Sequence, residues 1–573
     1  MPDIRLGGCA PEPLQSYGKA IGVFRLVAEQ CDPTVRAFWR ADGFVLRAQV
    51  SEDGLRRFFL HRYRPTPLIS PWNLDSGFYG GRQNLGRLLS HDNARLDGYR
   101  AAIARARTVL DEFGLGRQLA KSEVKQRLKE IKPRLIMRLR ATLPEEATRW
   151  LDATAVLTGG SVEFPPLFGA GGTDGRFELS DGFMGALLKI FGDRDRRPEG
   201  LESALFGTPQ PALEAMTPGL FAPGGVGGPN SLEGFDGGGG ANPWDVVLAF
   251  EGLLLLAGSA SRRYGAQTEV RAAFPFVLRA AVAAGYPTAA SEEARGEVWL
   301  PLWDRPVSLA EIQYVFREGR AEWNGRPART ALDVARALVS LGVDRGLTEF
   351  RRYGIQKRSG RSYLASPLGR FRVTWRPSAL LLAELDEYLG RLESLRSARD
   401  TPAPLLRLMR RLDDAILAYC AGGDRQRLLN VLVAVAQIDR ALGLRPALRS
   451  REGIQPLPFL SLRWLAATRD GSPEYSIAAA IASLRPGQGG VPGVTRQHVV
   501  PIERKGATWR WTEGQGHSVV WTGRDTLSDL VNIAHRRLVE SERAGESDPL
   551  RGTWFSMANE LALFLRGEVD VNR

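Results

Sequence analysis

The longest apolar run in the chain, Val246 to Ala257, is only twelve residues long and is broken by Glu251. A bilayer span needs about 20 apolar residues, so this run cannot be one. It reads instead as a helix buried in a water-soluble core. With 573 residues there is too much chain for one such core, and two or three domains are expected. The N-terminus carries Asp3, Arg5 and a glycine pair but no apolar signal core, so a cytoplasmic location without a membrane partner is expected. Cys9, Cys31 and Cys420 are too few and too scattered for a disulfide framework or a closed zinc site.

The pattern along the chain predicts an α+β fold, with a mixed N-terminal region and a mainly helical C-terminal part. Ile4 to Gln30 reads as a strand, a tight turn at Gly7-Gly8, and a helix whose apolar positions Leu14, Tyr17, Ile21, Phe24 and Val27 share one face. A strand (Phe44 to Val50) and a short helix (Glu52 to Leu60) follow. Then comes a proline-punctuated segment, Arg64 to Asn73, leading into Ser76-Gly-Phe-Tyr-Gly-Gly81, which is costly to order without a reason. Helices are expected from Ala94 to Gly114 and from Leu119 towards Leu139, the second broken near Pro133. Phe221 to Gly240 holds nine glycines and reads as a flexible loop. A helix is expected from Pro243 to Ser259 and a strand from Glu297 to Trp303. Further on, helices are expected from Ala379 to Ser394, Ala403 to Cys420, Arg425 to Leu442, Ser476 to Leu484, Leu527 to Gly545 and Trp554 to Leu565. A hairpin of Thr508 to Trp511 with Val519 to Thr522 interrupts them. The expected regions are 1–115 (mixed), 116–375 (central and basic, with the glycine-rich insertion) and 376–573 (mainly helical).

Charge narrows the function. The net charge is +13, which suggests a polyanionic partner. Only eight of the 77 basic residues are lysines. A GC-rich genome would give that bias, and so would selection for a planar fork that grips phosphate and guanine. Composition cannot separate the two, but distribution helps. Arg117 to Arg140 carries nine basic and two acidic residues, and Phe350 to Arg372 seven basic and no acidic ones. Each window is +7, so the rest of the chain sums to −1. Such clustering argues for a surface.

Two blocks carry a resemblance. IRLGGCAPEPLQSYGKAIGVFRLVAEQ with RPTPLISPWNLDSGFY, and FRRYGIQKRSGRSYLASPLGR (Phe350 to Arg370), resemble the large-subunit family of type I-G (formerly I-U) CRISPR Cascade complexes. The blocks occur in the family's order, and similarity extends to about Leu565. Members often continue with a further helical segment, so this chain looks like a short version. The resemblance implies a non-catalytic subunit of an antiviral ribonucleoprotein complex. Its partners would be the CRISPR RNA, double-stranded target DNA, the Cascade backbone subunits and a helicase-nuclease. Its role would be to read the short duplex motif beside the target (the PAM), stabilise the R-loop and hand over the displaced strand. Guide pairing supplies specificity in such systems, so the protein must hold DNA chiefly by its phosphates.

Three segments are the candidate contacts. In the second block Arg351, Arg352, Lys357, Arg358, Arg361 and Arg370 surround Tyr353 and Tyr363, pairing phosphate-binding cations with faces that stack on bases. The bland alternative is a basic hairpin with core tyrosines. Lys121, Lys125, Lys129 and Lys132 flank the apolar stripe Val124, Leu128, Ile131, Leu135, Leu139, which suits a phosphate backbone or merely a solvated helix face. Asn73, Arg82, Gln83 and Asn84 have base-reading donors and acceptors, and form the PAM-side loop candidate, though nearby Trp72, Phe78 and Tyr79 could belong to the core. Arg504, Lys505, Trp509 and Arg510 are a weaker patch. No cofactor and no enzymatic activity are expected. His61, His91, His498, His517 and His535 are never paired at metal-ligand spacing, His91-Asp92 lacks the further ligands of an HD nuclease, and no P-loop signature occurs. The rival readings are a metal-dependent nuclease of the same system and a scaffold that touches no DNA.

Overall fold

A computed structural model describes residues 1–41, 43–81, 83–116, 119–158, 161–169, 171–174, 177–192, 197–209, 214–215, 221–222, 240–261, 271–278, 294–318, 322–323, 326–328, 330–341, 346–358, 362–398, 400–483, 502–505, 508–511 and 526–545. The fold is α+β, many helices with several small sheets. Two compact units divide it. The first takes the described residues up to Val334 and from Gly346 to Thr374, the second Ala335–Leu341 and those from Trp375 on. Among the described residues no helix is long and apolar enough to cross a membrane.

The first unit opens with β1 (Asp3–Leu6), α1 (Leu14–Gln30), β2 (Arg36–Arg40) and β3 (Gly43–Arg47), an antiparallel sheet of order β1-β3-β2. The helices that follow are α2 (Glu52–Arg57), α3 (Asn84–Leu89), α4 (Asp97–Glu112), α5 (Lys121–Thr142), α6 (Glu145–Thr154), α7 (Leu179–Gly192), α8 (Arg197–Phe206), α9 (Pro243–Leu253), α10 (Leu309–Glu318) and α11 (Ala331–Leu341), the last shared with the second unit. A second antiparallel sheet orders Val277–Leu278, Ala294–Trp303, Leu347–Arg358 and Ser362–Arg372.

The five apolar positions of α1 are all fully buried. The helix crosses α9 so closely that a Cβ at Gly22 would lie 2.0 Å from the Leu248 carbonyl oxygen, and one at Gly252 1.9 Å from that of Gly18. Only glycine permits backbone to meet backbone in this way. Glu251, the polar interruption of the apolar run, sits beside the crossing with no exposure at all. Its Oε1 accepts from Tyr63 Oη (2.7 Å) and the Thr66 amide (2.8 Å), its Oε2 from Arg25 Nη2 (2.6 Å) and Thr66 Oγ1 (2.6 Å). A buried carboxylate with a cation and three further donors is satisfied rather than stranded. That explains the order of the proline-punctuated segment: Tyr63 and Thr66 tether it to the core.

Pro133 does not break α5. The helix runs through it from Lys121 to Thr142. Proline removes one backbone bond, but Val124 and Leu128 on one side and Leu135, Ile136 and Leu139 on the other are buried, and their packing keeps both halves in line. The Pro243 helix ends at Leu253, gives way to a 3-10 turn over Leu254–Leu256, and is followed by a strand, Ser259–Ser261.

The second unit is helical: after a 3-10 segment (Pro377–Leu385) come α12 (Asp386–Ser397), α13 (Ala403–Gly422), α14 (Arg425–Gly443), α15 (Pro446–Arg451), α16 (Arg463–Thr468) and α17 (Pro473–Ser483), with a further helix over Thr526–Ala544. Here Thr508–Trp511 pairs with Ile502–Lys505, immediately upstream. The expected partner, 519–522, lies outside the described residues, as do the expected helix from Trp554 to Leu565 and nearly all of the glycine-rich segment.

Candidate nucleic-acid interface

The two blocks of the resemblance meet in space. Arg351 Nη1 lies 3.1 Å from Glu12 Oε1, and Tyr353 Oη donates to the Pro11 carbonyl. The second block is a hairpin, Leu347–Arg358 paired with Ser362–Arg372, and two of its arginines, Arg351 and Arg352, are packed against acidic side chains. Arg352 is buried. Its Nη2 lies 3.3 and 3.1 Å from the two oxygens of Glu297, and its guanidinium sits 5.0 Å over the Trp299 ring. Trp299 Nε1 donates to the same carboxylate at 2.9 Å. Arg351 is half-buried between Glu12 and Glu349 (3.1 Å to each). Tyr353 has no exposed surface, and burial pushes its phenol well above the ordinary tyrosine range. Arg370, directly across from Arg351, is exposed, as is Arg372. Lys357 and Arg358 fall within the first strand, and Arg361 lies outside the described residues. Arg351, Arg352 and Tyr353 thus already have protein partners.

The segment from Pro71 to Asn84 is divided. Trp72 Nε1 donates to the Gly171 carbonyl at 2.6 Å and Asn73 Nδ2 to the same oxygen at 2.9 Å. Asn73 is buried, and its amide also faces Glu178 Oε1 at 3.4 Å. Glu178 is wholly enclosed, accepts from Ser180 Oγ (2.5 Å) and the Asp181 amide (2.8 Å), and is pushed up to about 7 by its burial. Asn84 donates to the Asp181 carbonyl at 3.2 Å, and exposed Gln83 accepts from Arg87. Arg82 lies outside the described residues. Asn73 and Asn84 therefore hold the segment to the chain around 171–181 rather than presenting base-reading groups. The tip is different. Gly80 and Gly81 are exposed with φ of +79° and +83°, and a Cβ on Gly81 would meet Lys121 Nζ at 2.7 Å.

That approach joins the loop tip to the lysine row. Lys121, Lys125 and Lys129, one helical turn apart on α5, are all exposed. Lys121 has only a loose partner, Asp75 at 3.7 Å. Among the described residues Lys125 and Lys129 have none, nor has exposed Arg134, which the lysine spacing alone does not single out. Counting arginine with lysine as exposed cation on this helix would have found it. Lys132 leaves the row: it is half-buried 5.6 Å over the Phe164 ring, where burial holds its ammonium below the ordinary lysine value. Arg138 and Arg140, further along, pair with Glu112 and Asp152. The packed neighbour α4 adds exposed Arg105 and Arg107. The result is a line of exposed positive charge spanning about 12 Å, from Lys121, loosely paired with Asp75, to Lys129, beside a glycine turn with open space around Gly80. Chemically it can hold polyanion through charge without reading bases.

His91 of the His-Asp dipeptide accepts from the Asn93 amide at 3.2 Å and lies edge-on to Phe191. Among the described residues no group of three or more His, Cys, Asp or Glu could hold a metal ion. Of the weaker patch, Trp509 packs edge-on against Phe459, with ring centroids 5.1 Å apart. No protein-family model matches the chain, and no curated protein does either.

Proposed function

We propose that this protein is a non-catalytic nucleic-acid-binding subunit of an RNA-guided defence complex of the type I-G Cascade kind, holding target DNA by its phosphates. The observation that carries the reading is exposed Lys125 and Lys129, one turn apart and unpaired among the described residues, continued by Lys121 against the Gly80-Gly81 turn, with Arg134 exposed further along on another side of the same helix. Fixed cations at one-turn spacing attract a phosphate backbone and release its counterions whatever the sequence. The sequence resemblance supplies the partners: CRISPR RNA, backbone subunits, duplex target and a separate helicase-nuclease. In this reading the PAM contact falls to the loop tip rather than to Asn73 and Asn84.

The test is the salt dependence of duplex binding by the complex assembled with its RNA. Each phosphate contact contributes a slope of about −0.9 in log K against log salt. Replacing Lys125, Lys129 and Arg134 by glutamine should flatten the slope and weaken binding to all sequences alike. An unchanged slope removes α5 from the interface. A second reading, a scaffold without DNA contact, is favoured by the internal pairing of Arg351 and Arg352, and bromouracil crosslinking of target DNA to the chain separates the two.

A further inference from the structure

The second unit leaves a cluster of large apolar side chains in water. Phe459, Leu462 and Leu465 are 54%, 80% and 52% exposed, at successive three-residue steps that lead into and along α16. The short helix is well anchored on its other side. Trp464 is buried with its Nε1 3.2 Å from Glu384 Oε2, and the Ser461 amide and hydroxyl each reach the same carboxylate at 2.7 Å. The outward leucines are therefore held in place rather than left on a loose end. The Ile502–Lys505 and Thr508–Trp511 hairpin borders them. Trp511 Nε1 donates to the Ile454 carbonyl at 2.8 Å, and Trp509 closes against Phe459. Exposed leucines in a fixed cluster are the signature of a surface that another protein covers.

Charge says which kind of protein. Arg463 and Arg469 on and just beyond α16, and Arg510 beside Trp509, are exposed, and among the described residues none has a carboxylate partner. The neighbouring acid, Asp470, is engaged with the amide and hydroxyl of Ser472. We infer that the Phe459–Leu465 surface is a docking site for an acidic amphipathic helix of another protein, with apolar side chains on the leucines and carboxylates on Arg463, Arg469 and Arg510. Leu462 and Leu465 at this spacing match the apolar stripe of a helix, whereas a nucleic acid would be met by open aromatic faces, and the two aromatics here, Phe459 and Trp509, close on each other. The inference stands apart from the phosphate-binding row, which lies in the other unit.

The test uses the full chain and a labelled three-heptad probe helix with leucine on one face and glutamate on the others, beside its lysine-for-glutamate counterpart. Fluorescence anisotropy should show the acidic probe binding well above the basic one. Leu462→Asp and, separately, Arg463→Glu with Arg469→Glu should each weaken it by about tenfold or more. These positions face water, so circular dichroism should show each variant folded. Equal binding of the two probes, or indifference to both variants, overturns the proposal. So does a dimer in sedimentation that Leu462→Asp dissolves, which would make the occupant a second copy. Competition of the acidic probe by a single-stranded oligonucleotide, abolished by the Arg463 and Arg469 substitutions, would assign the surface to nucleic acid instead.

Discussion

The Phe350–Arg372 hairpin and the α5 region carry the same net charge, +7, and spend it in opposite directions. In the hairpin, Arg352 lies inside the protein against Glu297, and Arg351 is shared between Glu12 and Glu349. On α5 the apolar stripe faces the protein, and Lys125, Lys129 and Arg134 are exposed with no carboxylate partner among the described residues. A strand flanked on both edges by other strands points half its side chains into each packed face, so a cation there must find an internal anion. A surface helix has a wide solvent face that requires nothing of the kind. Arg351 and Arg352 are thus architectural, whereas Lys125, Lys129 and Arg134 are available.

The largest effect that could break this contrast is on stability. Glu297→Ala leaves the Arg352 cation buried with no carboxylate, and the loss should be about 3–5 kcal/mol in denaturant unfolding. A variant as stable as the parent would show that the hairpin charge is not internally committed. Next comes acidity. Glu178 is a carboxyl raised to about 7, so the folded protein keeps a proton that the unfolded chain releases at lower pH. Its contribution therefore falls as pH rises from the ordinary glutamate range to about 7, with a slope of up to about 1.4 kcal/mol per pH unit. Glu178→Gln should flatten that part of the stability–pH curve, and a curve unaltered by the substitution would mean the group is not enclosed.

On α5 the prediction reverses. The triple glutamine variant at Lys125, Lys129 and Arg134 should unfold at the parent's denaturant midpoint, while its nucleic-acid salt slope drops by about 0.9 for each phosphate left unneutralised. A lowered midpoint with an intact slope would make α5 architectural too. The smallest effect belongs to Arg370, the exposed member of the hairpin pair. Arg370→Gln should alter stability by no more than about 0.5 kcal/mol, and any drop in DNA affinity would show that the hairpin still offers an edge to the backbone.

What was legible in the sequence follows from the range of the forces involved. The stripe from Leu14 to Val27 and the stripe of α5 repeat at the helical period, and both helices form as that spacing predicts. Likewise α13, α14 and the helix over Thr526–Ala544 follow their apolar periodicity. Strand β2 gives no comparable signal, because Ala37, Phe38 and Trp39 are buried in succession, without the alternation that marks a half-exposed strand. The site is harder to read. Arg352 looks like a phosphate ligand until Glu297, 55 residues upstream, is placed beside it, and Asn73 looks like a base reader until the Gly171 carbonyl arrives from 98 residues away. Local pattern carries no information about partners at that separation. Lys125 and Lys129 are readable because the apolar stripe beside them fixes which face of α5 is buried and leaves them on the solvent side.

The Glu251 node bears on how the chain is made. Arg25 is threaded into the interior early in the sequence, yet its carboxylate is 226 residues downstream. At a translation rate of about 5–20 residues per second, the nascent chain waits roughly 10–45 seconds before that anion leaves the ribosome. During that interval α1 has neither Glu251 for its arginine nor Gly252 to lie against, although Tyr17 and Phe24 already have Trp39 and Phe44 of the adjoining sheet. The α9-facing side of α1 thus remains open while about two-fifths of the polypeptide is synthesised, a period in which chaperones have most reason to hold it.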